Sequence, residues 1–155
     1  MSESIISPLA VYLKNNGEEK MTKLERLAES FKTHKAKIVH DDDKMFIMEW
    51  RNKNGSSSYA VKYIVDKVYG TLFVEGDLGF AVACWYSHVT TEDILNYTNP
   101  KHIDYFVGKL KCSTDKYTRD VLNSLFVADG RAVDDRVYLW AIGFEMAYTD
   151  AFGGK

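Results

Sequence analysis

The chain has 155 residues, 46% hydrophobic and 14% aromatic, and a formal net charge of -2. That length suits one domain spanning residues 1–155, able to bury a core without disulfides or metal. The charge balance argues against direct, general binding of phosphate backbones, and no apolar run is long enough to span a bilayer.

Met1 to Ile6 carries an acid and serines where a leader would carry basic residues and a long apolar run. The expected location is therefore the reducing cytoplasm of a bacterial host cell, with Cys84 and Cys112 as free thiols in the core. Pro8 opens a short helix containing Leu9, Val11, Tyr12 and Leu13, and Asn15-Asn16-Gly17 ends it. Glu18 to Met21 reads as a polar linker. Thr22 caps a second helix with Leu24, Leu27, Ala28 and Phe31 at helical spacing, and Glu25 completes a capping box. His40-Asp41-Asp42-Asp43 follows. Consecutive carboxylates on an extended backbone point alternately, so this run reads as a solvated turn before the first strand, not a metal site.

Residues 44–86 carry the strand signal. Lys44 to Arg51 places Phe46, Met48 and Trp50 at period two. Asn52-Lys53-Asn54-Gly55 and three serines form a turn, and Tyr59 to Asp66 alternates again. Gly70 opens Thr71 to Glu75, Gly76-Asp77-Leu78-Gly79 turns, and Phe80 to Tyr86 has apolar residues on both faces. Such a strand is covered on both sides or meets a partner. The expected fold is α+β: a four-stranded antiparallel sheet over about 44–86, flanked by helices, with a helical C-terminal half.

In that half, Thr90 or Thr91 caps Glu92 to Tyr97, and Asn99-Pro100 restarts a helix with Ile103, Phe106, Val107 and Leu110 inward. Ser113 or Thr114 caps the next, with Tyr117, Val121, Leu122 and Leu125 inward, and Ala128-Asp129-Gly130 breaks it. The last helix runs from about Ala132 to Ala151. Its apolar face is broad enough for a deeply packed helix or for a homodimer contact.

No catalytic residue or metal ligand stands out. Cys84, His88, His102 and Cys112 could together hold zinc, but their spacing is irregular and buried free cysteines are the stronger reading. Cys84 with His88 as its base lacks a helix amino terminus to activate the thiol. Gly76-Asp77-Leu78-Gly79 lacks the lysine and glycine spacing of a phosphate loop. No cofactor is expected.

VYGTLFVEGDLGFAVACWY from Val68 to Tyr86, followed by IDYFVGKLKCS from Ile103, resembles small phage and prophage proteins of Gram-positive bacteria. The shared residues are Gly76, Asp77, Leu78, Gly79, Ala81 and Trp85, then Asp104, Tyr105, Phe106 and Lys109. The likeness covers about half the chain and brings no established activity. By analogy it implies an inhibitor of host defence, such as an anti-CRISPR protein. The helix–strand–helix order also resembles the double-stranded RNA-binding domain. However, Lys101 stands alone where that domain clusters lysines, and a fourth strand intervenes.

The sequence therefore points to a binding protein that inhibits a host protein or ribonucleoprotein by direct contact, with no membrane attachment. Asp41, Asp42, Asp43, Glu75 and Asp77 are its candidate partner-binding residues, standing in for phosphates on a basic surface. In a meander the Asp41–Asp43 run and the Glu75–Asp77 turn belong at opposite sheet ends, roughly 17–20 Å apart. The alternatives are an enzyme with its site near Cys84, His88 and His102, and a nucleic-acid module using Arg51, Lys53 and the Tyr59–Tyr63 face.

Overall fold

The computed structural model describes residues 8–15, 22–118, 127–128 and 131–153. The first helix, α1, spans Pro8–Asn15 and the second, α2, Lys23–Ala28. The Thr22 hydroxyl accepts the Glu25 N–H at 3.2 Å, and the Glu25 carboxylate accepts the Thr22 N–H at 2.8 Å, the reciprocal cap the sequence predicts. A single 3-10 turn, Glu29–Phe31, then tightens the chain and delivers Phe31 to the core.

Among the described residues the sheet has six strands, not the four expected. They are β1 His34–Asp41, β2 Met45–Asn52, β3 Val61–Asp66, β4 Thr71–Gly76, β5 Ala81–Cys84 and β6 Leu110–Ser113, paired antiparallel in chain order. The first added strand comes from a segment where lysines and histidines mask a period-two pattern. In it His34, Ala36 and Ile38 face inward between the exposed Lys35 and Lys37. The second is four residues long, too short for any period to show. The turns fall where glycine and asparagine predict them. Gly70 sits at φ +72° between β3 and β4, and a Cβ there would also strike the Ser87 backbone.

One sheet face carries Phe46, Met48 and Trp50 from β2, Val61, Tyr63 and Val65 from β3, and Leu72 and Val74 from β4, all buried. The helix α5, Asp135–Phe152, lies across this face and also contacts α1 and α2. Its broad apolar face is thus consumed inside the domain, by Val137, Trp140, Ile142, Phe144 and Met146 among others. Hydrogen bonds fix it laterally: the Tyr63 hydroxyl donates to the Trp140 carbonyl at 2.7 Å, and Trp140 Nε1 donates to the Leu78 carbonyl at 3.1 Å. Gly153, at φ +81°, caps its end.

Between β5 and β6 lie α3, Thr91–Tyr97, and α4, Ile103–Lys109. Thr90 caps α3 in a second capping box with Asp93, and Asn99 caps a 3-10 turn that leads into α4. The helix expected from Ser113 does not start there. Ser113 ends β6, the Thr114 N–H bonds the Phe80 carbonyl at 2.9 Å, and Tyr117 bridges to Val133. Val121, Leu122 and Leu125 lie outside the described residues. A small ribbon, β7 Val127–Ala128 and β8 Arg131–Ala132, precedes α5.

The cysteines are not core residues. β5 alternates, sending Ala81 and Ala83 inward, so Cys84 is half-buried on the outer face and Cys112, opposite Val82, is exposed.

Candidate functional site

A cleft of about 820 Å³ opens at the sheet end that carries the β1–β2 turn. Its floor is Lys67, just past β3. One wall is the His88–Thr91 segment with Glu92 of α3, and the other is the last two turns of α5. The Val89 N–H bonds the Lys67 carbonyl at 3.0 Å, which holds the first wall against the floor.

The acids of the β1–β2 turn divide their roles. Asp42 locks the turn: its carboxylate accepts the Lys44 and Met45 N–H groups at 2.9 and 2.8 Å, and His40 Nε2 lies 2.8 Å away. Those two backbone donors, then His40, hold its pKa down at about 2. Asp41 pairs with Lys67 at 3.1 Å, and the same ammonium donates to the Asp42 carbonyl at 2.6 Å. Asp43 makes no turn bond among those described for its neighbours, and it lines the cleft with Asp41.

The α5 wall is aromatic. Tyr148 and Phe152 line it with their rings 4.6 Å apart, the buried Phe144 stacks on Tyr148 at 6.3 Å, and Phe46 of β2 stacks on Phe152 at 6.4 Å. The Tyr148 hydroxyl donates to Glu92 at 2.6 Å. That bond is the main cause holding the Glu92 carboxylate below its usual range, while burial and then the same bond push the Tyr148 phenol up. Asp41, Asp43 and Glu92 thus line one cleft with the Lys67 ammonium, and the Tyr148 and Phe152 rings back it. Such a cleft attracts a cation, which gains carboxylate contacts and a ring face together.

Glu75 and Asp77 are not part of this site. The β3–β4 register pairs Asp66 with Thr71 at the cleft end and Val61 with Gly76 at the other, so both acids lie at the far end of the sheet. There Glu75 lies 3.9 Å from Lys62, and Asp77 accepts the Tyr59 N–H at 2.8 Å.

The cysteines and histidines do not converge as a ligand set. Cys84 Sγ has Thr71 Oγ1 as its neighbour at 3.5 Å, and His88 lines the cleft. Among the described residues, no group of three or more His, Cys, Asp or Glu side chains is placed to hold a metal. The Tyr59–Tyr63 face does not form either. Tyr63 is fully buried under α5, so of the two tyrosines only Tyr59 is presented.

Sequence reasoning missed the cleft because its parts come from four separated segments. Glu92 reads as a helix-start acid and Tyr148 as the edge of an apolar stripe. It also missed an aromatic cluster past β5. There Trp85 stacks on Tyr97 at 5.1 Å, Trp85 Nε1 donates to the Tyr105 hydroxyl at 3.2 Å, and Lys109 lies over the Tyr105 ring. A bulge opposite Val82 and Ala83 leaves Lys111 as the extra residue, and its ammonium stands over the exposed Tyr86.

No protein-family model, curated protein or solved structure matches this chain.

Proposed function

We propose that this is a binding protein, acting by direct protein–protein contact, whose cleft receives a basic side chain of its partner. The observation that carries the reading is the meeting of Asp41, Asp43 and Glu92 with the Tyr148 and Phe152 rings in one open cleft. An arginine fits best: its planar guanidinium can take a carboxylate with its edge and an aromatic ring with its face. The likeness to phage proteins supplies the class of partner, a host defence protein or ribonucleoprotein with a basic channel. Carboxylates placed where phosphates would lie steer such a partner at long range.

The test begins with affinity capture from a Gram-positive host, followed by kinetics on the captured partner. Asp43→Lys should slow association about tenfold and flatten its salt dependence, with dissociation changing less. Glu75→Gln, at the opposite sheet end, should leave the rates unchanged. Association indifferent to salt and to Asp43→Lys would reduce these acids to solubilising surface.

A further inference from the structure

Among the described residues, no element covers the face of the sheet turned away from α5. The register sets its side chains in rows. One row is apolar: Ile47 pairs with Ile64, Ile64 with Phe73, Phe73 with Val82, and Val82 with Cys112. A bulge in β1 brings Val39 and His40 to the row's first position, beside Ile47. Val39 is 47% and Phe73 39% exposed, while Ile47, Ile64 and Val82 stay half-buried. An apolar row crossing the whole width of a sheet is unusual on a surface with no partner.

The adjoining row is charged. Lys37 pairs with Glu49, Glu49 with Lys62, and Lys62 with Glu75, so the signs read plus, minus, plus, minus from β1 to β4. Cross-strand attraction within one sheet accounts for neighbours of opposite sign. It leaves the apolar row uncovered.

We propose that this face is where a second copy of the chain docks, sheet against sheet, about a twofold axis running along the strands between β2 and β3. The alternating row is its own complement under that operation. Reversed left to right, it sets Lys37 against Glu75 of the second copy and Glu49 against Lys62 of the second copy. The same axis lays Ile47 on Ile64 of the second copy and brings Phe73 over the smaller Val39. Isologous contacts require this kind of self-complementarity, and sheets that pack face to face do so nearly aligned, about 10 Å apart. An axis across the strands would instead set Glu49 over Met45 and Glu75 over Thr71, leaving both glutamates without a basic partner. The cleft lies elsewhere, so this association stands independently of the proposed partner contact.

Sedimentation of the full chain over a concentration series tests it. The wild type should pass from monomer to dimer, and Phe73→Asp should remain monomeric with an unchanged circular dichroism spectrum. Lys37→Glu and Glu75→Lys should each raise the dissociation constant about tenfold, since each reversal acts twice in a twofold interface. The double variant K37E/E75K should recover most of that loss. β1 and β4 are separated by two strands, so these residues can compensate each other only across copies. A wild type that is monomeric at every concentration overturns the proposal, as does a dimer indifferent to Phe73→Asp or a double variant no better than the single ones.

Discussion

At the scale of single residues, Gly143 shows how closely the core is packed. It lies on α5 where that helix crosses the sheet, and a Cβ there would meet the Tyr63 hydroxyl, with Phe31 and Trp50 close behind. Tyr63 cannot yield easily, because its hydroxyl is tied to the Trp140 carbonyl. Gly143→Ala should therefore cost about 1–3 kcal/mol through overpacking, despite the better helix propensity of alanine, and urea unfolding would measure it. Two ionisable groups, one buried and one half-buried, shape stability against pH in opposite senses. Burial lowers the His34 pKa from 6.5, so the unfolded chain binds that proton more readily and His34 withdraws stability as pH falls below 6.5. Burial raises the Glu145 pKa above 4.5, and one carboxyl oxygen has no hydrogen-bond partner among the described residues. Its contribution is full below pH 4.5 and is lost as pH rises through the raised value. Glu145→Gln should thus stabilise the protein at neutral pH and make little difference near pH 4. Unfolding free energies of both proteins across that range check the sign.

At the scale of elements, the helices begin where local chemistry places them. The Thr22–Glu25 and Thr90–Asp93 boxes each satisfy two backbone donors that a helix start otherwise leaves open. Thr22→Ala or Thr90→Ala should cost about 1 kcal/mol, seen as a lower midpoint of thermal unfolding. The strands obey a less local logic. β2, β3 and β4 were legible because their large inward residues recur at period two: Phe46, Met48 and Trp50, then Val61, Tyr63 and Val65, then Leu72 and Val74. β1 has the same alternation, but its inward residues include His34 and Ala36, whose burial depends on Phe31 and Trp50 lying beside that histidine. As an edge strand, β1 is also tied from outside the sheet: the Ala36 N–H donates to Asp150 of α5 at 2.9 Å. That bond gives an edge N–H a partner and leaves less of the edge open to pairing with another chain.

At the scale of the whole molecule, α5 closes the structure. It contacts α1, α2 and the first three strands, and it supplies one wall of the cleft. Ten of its residues are buried. At about 1.5–3 kcal/mol for each large apolar side chain, their loss exceeds the 5–15 kcal/mol of a typical domain. A chain ending before Asp135 should show no cooperative unfolding transition and should bind a hydrophobic dye. A folded, cooperative truncated protein would mean that the sheet finds its cover elsewhere.

The sequence by itself determined the α+β class, the capped starts of α2 and α3, the central strands and the broad apolar face of the last helix. Each rests on a period or a cap written within about ten consecutive residues. It also placed the acids of the first and fourth strands at opposite sheet ends, since an antiparallel meander leaves no other arrangement. Only the tertiary structure decided the number of strands, because β1 and β6 are held by their neighbours more than by their own pattern. Only it decided that Asp42 fastens a turn while Asp41 and Asp43 face Glu92 and Tyr148, residues about fifty and a hundred positions away. Spacing along the chain carries no record of such meetings, which arise when the sheet and α5 pack and bring distant segments to one edge.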